Sequence, residues 1–160
     1  NESIRLQPDH YESYNIRGVC YDETRQYLKA ITDYNEAIRL QPAYAEAYYN
    51  RGNVYANAKP VEYQRAIDDY SRAIQINPDY ADAYNNRGLC YDKTGQYKRA
   101  IEDYSEAIRL NPDSPDTYHN RALIYMNVGN IRRGCPDTKK ACRLGNCELL
   151  KAAKNKGSCP

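Results

Sequence analysis

Apolar positions in this chain fall on paired helical stripes. In residues 81–114 the first stripe is Tyr84, Leu89, Cys90 and Tyr91. The second is Tyr97, Ala100, Ile101, Tyr104, Ala107 and Ile108, spaced i, i+3, i+4, i+7 as one face of a helix requires. Between them Thr94-Gly95-Gln96 places a glycine where the first helix should stop. Pro42, Pro78 and Pro112 close the second helix, since a proline pushes the residue before it out of the helical region. The pattern predicts a helical hairpin.

The hairpin recurs. Tyr14-Asn15-Ile16-Arg17-Gly18 returns as Tyr48-Tyr49-Asn50-Arg51-Gly52, as Tyr84-Asn85-Asn86-Arg87-Gly88, and as Tyr118-His119-Asn120-Arg121-Ala122. The units are residues 11–44, 45–80 (with a two-residue insertion near Lys59-Pro60-Val61), 81–114, and a degenerate copy at 115–146. Residues 1–10 match the second half of a unit, and the cysteine-containing segment 147–160 follows the last one. A period of this length predicts an array in which each unit buries its apolar face against its neighbours, and it favours binding over catalysis.

Small residues mark where helices approach closely: Gly18, Gly52, Gly88 and Ala122 on the first helix, and Ala30, Ala66, Ala100 and Gly134 on the second. Asp9, Asp79 and Asp113 follow three prolines, with Glu12, Asp82 and Asp116 three residues on. That spacing predicts a capping-box-like start for the next helix.

Composition adds two points. The chain has 18 Tyr but no Phe and no Trp, so tyrosine supplies the aromatic packing and each buried hydroxyl needs a partner. Charge is uneven: residues 132–160 hold eight Lys and Arg against two acids, whereas residues 1–131 hold fifteen against nineteen. No apolar run approaches a membrane span, and no signal-peptide core is visible.

These columns of Tyr, Gly, Tyr, Ala, Tyr, Ala and Pro resemble the tetratricopeptide repeat over nearly all of residues 1–144. The resemblance implies an all-α fold, a right-handed α-solenoid of antiparallel helix pairs ending in a C-terminal capping helix. Two departures stand out. Tyr34, Tyr70 and Tyr104 stand where Phe is common, and Arg17, Arg51, Arg87 and Arg121 fill a column that is usually apolar. Asp33, Asp69, Asp103 and Asp137 recur on the second helix. The expectation is an Arg–Asp pair within each unit, setting helix register; two solvated columns are the alternative.

The resemblance also implies a concave face lined by the first helices. Its residues here would be Asn15, Ile16 and Val19; Tyr49, Asn50 and Asn53; Asn85, Asn86 and Leu89; and His119, Asn120 and Leu123. Asparagine is a poor helix former, yet Asn50, Asn86 and Asn120 share one column. An amide offers both donor and acceptor to an extended peptide backbone. The arrangement is similar to the asparagine ladder of the O-linked N-acetylglucosamine transferase superhelix. The alternative is asparagines that bond to neighbouring helices. The carboxylate clamp of chaperone-binding repeats needs Lys and Arg where this chain has Asn15, Val19, Asn50, Asp82 and Asn86, so it is missing. Glu12, Glu46, Asp82 and Asp116 give an acidic rim, or simply answer the helix dipole.

Cys20 and Cys90 share a column with Val54 and Ile124 and read as buried apolar residues. Cys135, Cys142, Cys147 and Cys159 match no zinc-ribbon, haem-attachment or Cys-x-x-Cys spacing. Gly145-Asn146 should break the last helix, leaving 147–156 as a capping helix. Facing residues in such a hairpin share a roughly constant index sum, which pairs Cys142 with Cys147 and Cys135 with Cys159 as disulfides. Free thiols and a zinc site are the alternatives.

The function expected is a non-enzymatic scaffold that binds a protein or peptide, with no catalytic residue, metal or cofactor. There is no glycine-rich phosphate loop and no nucleophile–base arrangement. A self-assembling scaffold, forming homo-oligomers through the array's ends, and a substrate-selecting module of a larger enzyme are the alternatives. Without a continuous basic stripe in the repeats, nucleic acid is not expected as a partner. The compartment is open: cytoplasmic, or periplasmic or secreted if the last four cysteines are disulfide-bonded.

Overall fold

The computed structural model describes residues 10–155 and Cys159. The partial repeat expected at the N-terminus falls outside these residues except for His10. Among the described residues the regular structure is all helical: α1 Tyr11–Glu23, α2 Tyr27–Leu40, α3 Ala45–Asn57, α4 Tyr63–Ile76, α5 Ala81–Lys93, α6 Tyr97–Leu110, α7 Pro115–Asn127, α8 Ile131–Arg143 and α9 Glu148–Asn155. They fall into two compact units, one up to Ala83 and one from Tyr84 onward, with the division inside α5.

Within each unit, helices pack in antiparallel pairs. In the first, Arg17 meets Asp33, Gly18 meets Tyr34, and Lys29 lies over the Tyr21 ring. The pairing rests on a glycine facing a buried tyrosine. A methyl on Gly18 would come within 2.6 Å of Tyr34 Cε1, one on Gly52 within 2.8 Å of Tyr70, and one on Gly88 within 3.0 Å of Tyr104. The three tyrosines are at most 1% exposed. In the fourth repeat Thr138 replaces the tyrosine and Ala122 the glycine, so the smaller partner leaves room for the methyl; both are completely buried. Overpacking at such a contact costs about 1–3 kcal/mol.

Successive pairs stack through the column after the glycine. Val54 of α3 packs against Ala30 and Tyr34 of α2, and Ile124 of α7 against Ala100 and Tyr104 of α6. Cys90 in the same column is 1% exposed. Cys20 differs from expectation: it is exposed.

The helix ends also depart from expectation. Tyr44 and Ser114 occupy the cap positions of α3 and α7, and neither side chain accepts a backbone N–H. Asp113 stands one residue ahead of the Ser114 cap. Asp79 and Asp113 lie in the turn, their own N–H groups donating to Asn77 Oδ1 at 3.2 Å and Asn111 Oδ1 at 3.3 Å. The Asn-Pro-Asp turn thus holds the aspartate backbone, and Glu46, Asp82 and Asp116 remain in the first helical turns, where the dipole favours them. Between paired helices Gly95 and Gly129 adopt φ of +75°, and Arg25 is forced to φ +57° at the position of Gly95.

The C-terminal end replaces packing with covalent links. Ile101 and Ile108 of α6 have Cys135 and Cys142 as counterparts on α8. Cys135 is bonded to Cys159 and Cys142 to Cys147, with Cα atoms 5.6 and 4.0 Å apart. Helix α9 has eight residues, of which Ala153 is buried. So short a helix offers little apolar area, and the disulfides tie it to α8.

Candidate peptide-binding face

Each first helix carries the Arg column, and the structure pairs all four arginines as expected. Arg17 donates from Nε and Nη2 to Asp33 at 2.7 Å; Arg51 reaches Asp69 at 2.8 and 2.6 Å; Arg87 reaches Asp103 at 2.8 Å; Arg121 reaches Asp137 at 2.8 Å. The aspartates are buried. Such two-pronged pairs fix orientation as well as distance. Each guanidinium also lies over the ring of the tyrosine one turn earlier, 5.5 to 6.0 Å from its centre.

The arginine makes a further bond that sequence reasoning missed. Arg51 Nη1 also donates to Asn35 Oδ1 of α2, and Arg121 Nη1 to Ser105 Oγ of α6 at 2.9 Å. One side chain thereby joins three helices across two successive pairs. The only signal in the sequence was a short polar residue, Asn35, Ser71 or Ser105, just after the buried tyrosine.

With the arginines directed inward, the asparagine positions separate into two columns. The first contains Asn15, Tyr49, Asn85 and His119, and its two asparagines bond across to the next first helix. Asn15 is 2% exposed; its Nδ2 donates to Glu46 Oε1 at 3.0 Å and Tyr44 Oη at 3.2 Å. The Tyr49 ring lies 4.8 Å from that of Tyr80. Asn85 Oδ1 accepts from Thr117 Oγ1 at 3.2 Å. His119 is half-buried, and its Nδ1 has no hydrogen-bond partner among the described residues.

The second column is Ile16, Asn50, Asn86 and Asn120. Ile16 is 64% exposed, and the three asparagines are half-buried. Asn50 Nδ2 donates to Asn15 Oδ1 at 3.0 Å, and Asn86 Oδ1 accepts from Asn85 Nδ2 at 3.2 Å. Asn50 Oδ1 and the Asn120 amide make no hydrogen bond to another described residue. One turn on, Leu89 is 38% exposed, Val19 and Leu123 are half-buried, and Asn53 turns inward to accept from Tyr70 Oη at 2.8 Å.

The acidic rim is largely occupied. Glu46 holds Asn15 and Tyr44, Asp116 accepts from Asn146 at 3.1 Å, and Glu12 lies 3.2 Å from His10 Nε2. Among the described residues no cluster of His, Cys, Asp and Glu is arranged to hold a metal, and no helix is long and apolar enough to cross a membrane.

Comparison with known families agrees with this geometry. Models described as tetratricopeptide or TPR repeats match residues 25–58, 62–95, 81–114 and 104–139. The crystal structure of MamA is 32% identical and superposes with a TM-score of 0.81 over 96% of this chain and 86% of MamA. This chain belongs to the tetratricopeptide-repeat family. Other tetratricopeptide structures share the fold at lower identity. MamA from Desulfovibrio magneticus RS-1 is 22% identical, with a TM-score of 0.78 over 88% of this chain and 78% of that one. The first TPR of Spaghetti (RPAP3), bound to the HSP90 peptide SRMEEVD, is 21% identical, with a TM-score of 0.71 over 74% of this chain and 93% of that one. The sequence matches none of the curated proteins.

Proposed function

We propose that this tetratricopeptide protein is a non-enzymatic scaffold that binds an extended segment of a partner protein on the face of its first helices. The observation that carries the reading is the second column. Its asparagines are half-buried amides, and each unit also leaves an apolar side chain of its first helices at solvent, Ile16 in one and Leu89 in the other. Amides suit a peptide backbone, and the apolar residues suit its side chains. The peptide-bound Spaghetti repeat supports the same reading by analogy of fold.

Within this reading Asn50, Asn86 and Asn120 contact the ligand. Asn15 and Asn85 hold successive helices in place, Tyr49 packs on Tyr80, and Asn53 supports Tyr70. The test is partner binding by Asn50→Ala/Asn86→Ala/Asn120→Ala against the wild type. The two disulfides favour an oxidising compartment, periplasmic or extracellular.

A further inference from the structure

We propose a second binding surface, on α8 and α9 and separate from the first-helix face: a cationic cleft that takes an acidic peptide segment. The cleft measures about 800 Å³ and has Arg132, Lys139, Arg143 and Lys154 around an apolar floor of Pro136, Leu150 and the cystines. Among the described residues none of the four cations makes a hydrogen bond or ion pair with another side chain.

Arginines at matching positions on earlier second helices are paired. In α2 and α6, Glu36 and Glu106 hold Arg39 and Arg109 one turn on, both at 2.6 Å. On α8 the corresponding residues are Lys140 and Arg143, so the acid is lost while the arginine is kept. Glu102 likewise becomes Pro136 and Ser105 becomes Lys139. Two acids remain between Arg132 and Asn155. Asp137 is committed to Arg121, and Glu148 stands in the first turn of α9. The disulfides fix the walls: Cys135 and Cys142 each lie one residue from a cation-bearing or floor position.

The chemistry selects an acidic peptide over other polyanions. Arginine and lysine spaced about a floor of apolar atoms fit carboxylates interleaved with apolar side chains. No aromatic ring lines the cleft for base stacking, and no large exposed apolar side chain is found there to enter a lipid surface.

The probe is a short fluorescein-labelled peptide alternating Glu and Leu, followed by anisotropy at low and physiological salt. Controls are its Gln-Leu counterpart, duplex DNA and vesicles of anionic lipid. Wild type should bind the Glu-Leu peptide in preference to all three. Arg132→Gln/Lys139→Gln/Arg143→Gln/Lys154→Gln should weaken it about tenfold or more. Lys93→Gln/Lys98→Gln and the three-asparagine variant should bind as wild type, which separates this surface from the first-helix face. Unchanged circular dichroism in the quadruple variant shows that its fold is kept. Failure of wild type to bind the peptide, equal binding by the quadruple variant, or preference for DNA or vesicles would each overturn the proposal.

Discussion

Arg121 grips Asp137 with two parallel hydrogen bonds of 2.8 Å and reaches Ser105 with a third of 2.9 Å, so one side chain on α7 ties α8 to α6. Losing the arginine would strand a buried carboxylate, whereas losing both charges would leave an apolar contact. Arg121→Leu and Asp137→Leu should each cost about 3 kcal/mol, and the double variant far less than their sum. Urea denaturation of the four proteins measures this. Additive losses would mean that the pair is not coupled.

Tyr70 and Tyr104 occupy the same column in different company. Tyr70 donates to Asn53, whereas the Tyr104 hydroxyl is buried with no partner among the described residues because Leu89 stands where Asn53 would. Tyr70→Phe should therefore lose about 1 kcal/mol, and Tyr104→Phe should be neutral or stabilising. Thermal melts of the two variants compare them directly; equal losses would show that Tyr104 has found an acceptor.

The fold and its pairing were legible because each unit restates the same constraint. Gly18, Gly52 and Gly88 face Tyr34, Tyr70 and Tyr104, and the Arg and Asp columns keep step with them. The site was less legible. Asn15 and Asn50 stand one column apart and are both expected on the concave face, but one is sealed against Glu46 and Tyr44 while the other keeps an oxygen with no partner among the described residues. That split depends on how the next first helix approaches, which apolar periodicity does not encode. Cys20 likewise shares a column with Val54, which Ala30 and Tyr34 cover, yet it is exposed, because burial in this column comes from packing between pairs and not from the residue's own helix. Asp79 and Asp113 stand one residue short of the cap because the proline turn takes up one residue more than the capping pattern assumes.

The six cysteines should label in three classes. Cys20 is exposed and should react with a maleimide in the native protein. Cys90 is buried, and burial pushes its thiol up to about 12, so it should react only on unfolding. Cys135, Cys142, Cys147 and Cys159 should need reduction first. Peptide mass mapping reads all three classes. Labelling of Cys90 at the rate of Cys20 would contradict the packing of its column.

The central claim is that the second asparagine column binds the partner. The most direct measurement is the affinity for an isolated partner of wild type and of Asn50→Ala/Asn86→Ala/Asn120→Ala, with matching circular dichroism as the check on folding. Loss of two or three amide hydrogen bonds should weaken binding about tenfold or more. An unchanged affinity in a correctly folded variant would contradict the account and move the binding site off the first helices.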